Sequence, residues 1–219
     1  MEAPVNTDET ARRPPQVRDP EAARRRILAA ATAEFSSRGL AGARVAQIAE
    51  RAGVNKRMLY HYYGDKEALF VAVLEAAYAA IRERERALRL EHLPPVDAMR
   101  LLVETTWDHY VEQPEFITLL NSENLHKAHH LRQSKKTLEM HSPFVEMIGE
   151  ILRRGERSGD FRSGVDPVEL YISIAGLGYF YLSNQHTLSA IFARDLADPA
   201  ARARRRAHMV EVVLGYLRP

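Results

Sequence analysis

Between Arg44 and Lys66 the chain reads RVAQIAERAGVNKRMLYHYYGDK. Val45, Ile48, Ala49 and Ala52 fall at i, i+3, i+4 and i+7, the apolar face of a short helix. Gly53 interrupts the pattern; a glycine past a helix end takes the left-handed conformation at little steric cost. Val54 can plug the elbow. Asn55 suits the N-cap of a second helix, because its side chain accepts from orphan backbone N–H groups. A turn of about three residues between two short helices is the spacing of a helix-turn-helix.

The second helix has two unlike sides. At about 100° per residue, Lys56, Arg57, Tyr60 and His61 share one side, and Met58, Leu59, Tyr62 and Tyr63 occupy the other. Cations in a first helical turn oppose the helix dipole. They are accounted for if a polyanion faces them, and a DNA major groove accepts the N-terminal residues of one α-helix.

The run IAERAGVNKRMLYHYYGDKEALF resembles the DNA-binding signature of TetR-family regulators. The matching positions are Ile48-Ala49, Ala52-Gly53-Val54, Asn55, Leu59-Tyr60-His61-Tyr62-Tyr63 and Lys66-Glu67-Ala68-Leu69. Two positions depart from the pattern. Ala43 and Arg44 stand where a capping threonine is common, and Tyr63 stands where phenylalanine is usual. The candidate DNA-contacting set is Arg44, Asn55, Lys56, Arg57, Tyr60, His61, Tyr62 and Lys66.

Charge distribution agrees with a basic end. Residues 1–66 hold 12 Lys/Arg against 8 Asp/Glu, and the remainder holds 19 against 21. A basic excess on the segment carrying the motif is the expected footprint of nucleic-acid binding, although an excess of this size also arises as ordinary surface variation. The chain has no cysteine, which excludes disulfides, thiolate catalysis and Cys-based zinc sites. No apolar run approaches a membrane span of about 20 residues, and the N-terminus lacks the apolar core of a signal peptide. A cytoplasmic protein with no membrane partner is expected.

Residues 1–18, with Arg12, Arg13 and Arg18, read as a disordered arm, either idle or reaching a minor groove. Residues 19–66 read as the DNA-binding domain and 67–219 as a helical effector-binding and dimerisation domain. Three Asp-Pro pairs, at 19–20, 166–167 and 198–199, are helix openings: Asp caps and Pro takes the first turn. Arg24, Arg25 and Arg26 either face the DNA backbone or form a solvated surface. Asp65 opens a long helix carrying Leu69, Phe70, Val73, Leu74, Ala77 and Ile81. It continues through RERERALRLEHL, whose alternating charges predict an exposed face, and stops at Leu93-Pro94-Pro95. A further long helix is expected to be interrupted at Ser142-Pro143. No β alternation is evident. The expected fold is all-α, with about nine helices in two domains.

His126, His129, His130 and His141 invite a metal reading, but the cluster lacks any cysteine partner; a polar helix end is the plainer account, and no metal or cofactor is expected. The chain has no Gly-rich phosphate loop, no G-x-S-x-G and no H-E-x-x-H, so no catalytic residues are assigned. A small-molecule pocket is expected in the second domain among Trp107, Tyr110, Phe116, Glu123, Asn124, Phe144, Met147, Tyr171 and Tyr179. Apolar walls with a few polar groups describe both pockets and ordinary cores. The effector cavity is what the resemblance implies. HYVEQPEFITLLNSENLHKAHHL, followed by YISIAGLGYFYL, also resembles the C-terminal domain of pyrimidine-utilisation regulators.

One recognition helix reads too few base pairs to find a genomic site, so a homodimer on palindromic double-stranded DNA is expected. The expected interface is a four-helix bundle. Leu170, Ile174, Leu177 and Tyr181 form one stripe, and Met209, Val213, Leu214 and Leu217 part of another; Gly176 and Gly178 would permit close approach. The same stripes could instead close the protomer's own core. The function this supports is a sequence-specific repressor released by a small molecule. The alternative is a helical ligand-binding module or enzyme with an incidental basic helix.

Overall fold

A computed structural model describes residues 19–219. The expected N-terminal arm with Arg12, Arg13 and Arg18 lies outside the described residues. The described residues form ten α-helices and no strand, with short 3-10 turns at Leu90–His92 and Leu131–Gln133. The helices are α1 (Pro20–Gly42), α2 (Val45–Ala52), α3 (Lys56–Tyr63), α4 (Lys66–Ala87), α5 (Pro95–Glu112), α6 (Pro114–Leu125), α7 (Lys135–Ser158), α8 (Pro167–Ser183), α9 (Gln185–Phe192) and α10 (Pro199–Leu217). The short α9, one more helix than about nine, follows α8 after a single residue.

Local chemistry accounts for the helix starts. Asp19 accepts from the Glu21 and Ala22 N–H groups, Asp65 from Ala68, Asp166 from Val168 and Glu169, and Asp198 from Ala201. Each oxygen satisfies a first-turn donor that has no intrahelical partner. α1 is kinked at Gly39, where φ 64° and ψ 175° are open essentially to glycine alone.

Three segments depart from the expected pattern. α4 ends at Ala87, short of Pro94, and Arg89 turns left-handed with φ 47°. The freed carbonyls are taken from outside. Arg154 on α7 donates to the carbonyls of Leu90, Glu91 and Leu93 at 2.7–3.0 Å. Second, α7 runs unbroken through Pro143. The proline forfeits its own hydrogen bond to the Glu139 carbonyl, but Phe144, Ile148, Ile151 and Leu152 anchor the helix in the core. Third, α8 turns its two faces the opposite way from the expected interface, as described below.

Two main cores result. One joins α1–α3 to the first turns of α4 through Ile27, Phe35, Ile48, Leu59, Leu69 and Phe70, and takes in Leu119 from α6. The other joins α5, α7, α8 and α10 through Met99, Leu102, Trp107, Ile148, Ile174 and Met209. α4 belongs to both neighbourhoods. Arg206 binds α10 to α5, reaching both oxygens of Asp108 at 2.9 Å and Glu104 at 3.1 Å.

Gly155 shows how closely the second core is packed. A Cβ built there would lie 2.0 Å from the ring of buried Phe161. Gly155→Ala must therefore displace an aromatic ring, an overpacking cost of about 1–3 kcal/mol or more. A melting temperature lowered by several degrees is expected; an unchanged melting curve would show that the ring moves freely.

Candidate nucleic-acid interface and effector cavity

The connection between α2 and α3 is built as its sequence requires. Gly53 has φ 64° and ψ 37°, and the Val54 N–H returns to the Ala49 carbonyl at 3.0 Å. Val54 packs on the first core. The Asn55 side chain accepts from the Met58 N–H at 2.8 Å, so Asn55 is committed to capping α3. Arg44 sits at the N-cap of α2 and provides no side-chain cap. Instead its own N–H donates to the buried Glu34 carboxylate of α1 at 3.1 Å. Glu34, held also by Arg38 at 3.4 Å, ties the start of α2 to α1.

α3 buries Leu59 and leaves Met58, Tyr62 and Tyr63 half-buried, while Lys56, Arg57, Tyr60 and His61 are exposed. The structure therefore brings these four together on one accessible face, with Arg44 also exposed. Tyr62 faces the other way: it packs on the first core under the Arg24 guanidinium, 5.3 Å from the ring centre. The Tyr63 hydroxyl donates to the Arg24 carbonyl at 3.1 Å, fixing α3 against α1. Lys66 is half-buried, its ammonium 3.4 Å from the Ala41 carbonyl. Arg26 donates to the Ala52 carbonyl at 3.1 Å and serves the end of α2. Arg25 lies 3.7 Å from Asp19 and Arg24 lies 3.5 Å from Glu21.

The expected pocket residues separate. Phe144 and Met147 line a cavity of about 320 Å³ between α4 and α7, together with Arg82, Glu85, Arg86, Glu91, Lys136, Glu139, Met140 and Pro143. Tyr171 is joined to it through a hydrogen bond from Arg82 at 2.8 Å. Phe116 instead lines a smaller cavity of about 280 Å³ among α1, α4, α5 and α6. It stacks on Tyr110, ring centres 5.6 Å apart. Trp107 lies in the second core against Tyr181. The Tyr179 hydroxyl donates to Asn121. Asn124 is exposed.

Glu123 is not a pocket group. It is buried and accepts from the His130 and Leu131 N–H groups and from His130 Nδ1, at 2.7–2.9 Å. Its aromatic partner then meets Phe70 edge-on at 5.2 Å. The remaining cluster histidines make local bonds: His126 to the Ser122 carbonyl and His141 to the Thr137 carbonyl. Among the described residues no group of His, Asp or Glu is arranged to hold a metal ion.

The residues that the sequence reading missed are Arg82 and Glu85. Both belong to the charge run expected to be exposed, yet they are 3% and 1% exposed. The phase of the buried stripe carries the signal: Leu74, Tyr78, Ile81 and Glu85 follow one another at steps of four, three and four. The Arg82 guanidinium lies 3.6 Å from the Phe144 ring centre and its Nη1 is 3.0 Å from a Glu85 oxygen. Burial pushes the Glu85 carboxyl up to about 8, against the opposing pull of Arg82. His109, buried in α5, is driven down to about 4 chiefly by the same loss of solvent.

The expected dimer stripe is corrected by burial. Leu170, Ile174, Tyr181, Met209, Val213 and Leu217 are buried within the protomer, and Leu177 and Leu214 are half-buried against the same core. A Cβ on Gly178 would lie 3.1 Å from Tyr110 of the same chain, so the close approach it permits is internal; Gly176 faces open space. The outward face of α8 is Val168, Ile172, Gly176 and Phe180, spaced four apart, with Val212 and Tyr216 exposed on α10. Apart from Glu169 and Ser173, most of α8 is apolar around its circumference, so periodicity alone could not say which face the core would take.

These features define a helix-turn-helix DNA-binding protein with a second helical unit containing a ligand-sized cavity. Residues 27–73 match the family described as bacterial regulatory proteins, tetR family, and residues 95–213 match the tetracyclin repressor-like C-terminal domain. The chain is 44% identical over 177 residues to the HTH-type transcriptional repressor NicS of Pseudomonas putida, covering 81% of this chain and 84% of that protein. It is 37% identical over 91 residues to the HTH-type transcriptional regulator RutR of Escherichia coli, covering 40% and 43%. The fold matches the crystal structure of SCO4942 from Streptomyces coelicolor with a TM-score of 0.66 and 28% identity, covering 90% of this chain and 99% of that one. The chain belongs to the TetR family and is a DNA-binding transcriptional regulator. No helix among the described residues is long and apolar enough to cross a membrane.

Arg57 is the exposed first-turn residue best suited to a guanine edge, a bidentate contact worth about 1–3 kcal/mol of discrimination. Arg57→Ala is expected to reduce the ratio of operator to random-duplex affinity about tenfold or more, with helical content unchanged. Equal losses on both duplexes would make Arg57 a phosphate contact.

Proposed function

We infer that this chain is a homodimeric repressor of cytoplasmic location that binds a palindromic operator through α3 and is released by a small molecule held between α4 and α7. Residues 19–66 act as the DNA-binding unit and 67–219 as the effector-binding and dimerisation unit. The DNA contacts are assigned to Arg44, Lys56, Arg57, Tyr60 and His61. Lys66 contributes charge at the edge, while Asn55 and Tyr62 position the helix. The two protomers pair through the outward faces of α8 and α10, where Ile172 and Phe180 are 56% and 59% exposed. Exposed apolar stripes of this kind mark interaction surfaces.

The observation that carries the reading is the continuity of α4. Its first turns, Leu69, Phe70, Val73 and Leu74, are part of the core that holds α3. Its later turns present Arg82 and Glu85 to the cavity. A ligand that prefers one setting of α4 therefore biases the position of α3, and it does so only by its differential affinity for the two settings. The similarity to NicS, named as a repressor, supports the sign of regulation.

Linkage supplies the test. An effector that lowers operator affinity by a given factor must itself bind the operator complex more weakly by the same factor. Titrating ligand into free protein and into the protein–operator complex measures both. A ligand seated in the α4–α7 cavity with equal affinity for the two would overturn release by that site.

A further inference from the structure

The polar groups of the α4–α7 cavity are unusual in being buried and incompletely partnered. Arg82 uses Nη2 to donate to the Tyr171 hydroxyl. One face of its guanidinium is covered by Phe144. Its Nε and Nη1 are buried, and among the described residues neither finds a hydrogen-bond acceptor in good alignment. Neither oxygen of Glu85 receives a hydrogen bond, although one lies 3.0 Å from Nη1. Buried polar atoms are nearly always satisfied, and a buried charge left without partners is costly. Two adjacent groups with this defect, both lining one cavity, are arranged for something that arrives from outside.

Charge decides what arrives. Burial holds the Glu85 carboxyl near 8, so at neutral pH it is largely protonated. The tyrosines around Arg82 are no counter-ions either: burial raises the hydroxyls of Tyr78, Tyr110 and Tyr171, and all three stay neutral. His141 is lowered by burial and is also neutral. The exposed residues at the rim, Arg86 and Lys136 against Glu91 and Glu139, balance one another. Arg82 is thus a buried cation whose nearest carboxyl gives it little charge compensation.

We propose that the cavity takes a small organic acid, its carboxylate received by the Arg82 guanidinium and its apolar body lying among Met140, Pro143 and Met147. The assignment rests on the reading of this cavity as the effector site. Unsatisfied N–H groups of a guanidinium bind a carboxylate through charge-assisted hydrogen bonds. Glu85 in its neutral form donates its O–H to the same anion, where an ionised Glu85 would repel it. The volume of about 320 Å³ lies at the small end of ligand pockets, which limits the acid to a compact molecule. The flexible thioethers of Met140 and Met147 adapt to its shape. Because Arg82 is on α4, the anion bears directly on the helix that also holds the DNA-binding core.

Calorimetric titration of the full chain with benzoate and hexanoate, against benzamide and benzylamine, tests the assignment. At least one acid is expected to bind about tenfold or more tightly than benzamide, the neutral shape of benzoate. Arg82→Gln is expected to lose that preference. Glu85→Gln, which keeps a neutral donor at the site, is expected to retain it. Should Arg82→Gln fail to fold, as judged by its melting curve, retention of the preference by Glu85→Gln and by the rim variants Arg86→Gln and Lys136→Gln still places the anion on Arg82. Loss of the preference in either rim variant moves it to the rim and overturns the assignment. Binding of neither acid more tightly than benzamide overturns the anion, and tighter binding of benzylamine assigns the site to a cation on Glu85 instead. No binding of any probe at millimolar concentration overturns the proposal outright. An acid that binds through Arg82 yet leaves operator affinity unchanged supports the site's chemistry while refuting its role as the effector site.

Discussion

Placing a carboxylate on the outward face of α8, in Ile172→Glu or Phe180→Glu, should yield a folded monomer that has lost operator binding. Both side chains are more than half exposed in the protomer, so the substitution leaves the internal core intact. Between two protomers the same carboxylate would be buried without a partner, which is strongly unfavourable. A single recognition helix reads too little sequence for a specific site. Affinity for the operator should therefore fall toward the non-specific level, about a thousandfold or more below specific binding. Sedimentation velocity alongside a gel shift measures both effects. Leu170→Glu is the contrasting case: Leu170 is buried in the protomer, and the variant is expected to lose helical structure before assembly becomes a question. Dimers that survive both outward substitutions would remove this face from the interface.

Operator affinity should also fall steeply with salt. Lys56 and Arg44 are exposed beside the reading face and Lys66 lies half-buried at its edge, and each appears twice in a dimer. About six phosphate contacts correspond to a log–log slope near −5, because each released counterion contributes about −0.9. Raising the salt from about 50 mM to about 200 mM is then expected to weaken binding about a thousandfold. Fluorescence anisotropy across a salt series measures the slope, and a flat response would take these side chains away from the phosphates.

What could be read from the sequence was local. Gly53, Asn55 and the split of α3 into Lys56, Arg57, Tyr60 and His61 against Leu59 depend on neighbours within one turn, and periodicity exposes them. The Asp-Pro openings of α1, α8 and α10 are legible for the same reason. What could not be read depended on contacts distant in the chain. Arg82 and Glu85 stand in a run of alternating charges, and only the packing of Phe144 and Tyr171 from other helices buries them. Glu34 holds the residue before α2 from ten residues away, a contact that a helix-interior glutamate does not announce. α8 offers two apolar faces, and the choice between core and partner is made by α5 and α10 lying against Ile174 and Gly178. Pro143 reads as a helix stop, but the core residues that follow it hold α7 together.

On this account α3 reads sequence in duplex DNA. The most direct measurement compares binding of the full chain to DNA from upstream of its own gene with binding to a scrambled duplex of equal length and composition, near physiological salt. The expected result is a preference of about a thousandfold or more, reduced about tenfold or more by Arg57→Ala. Equal affinity for the two duplexes would contradict it.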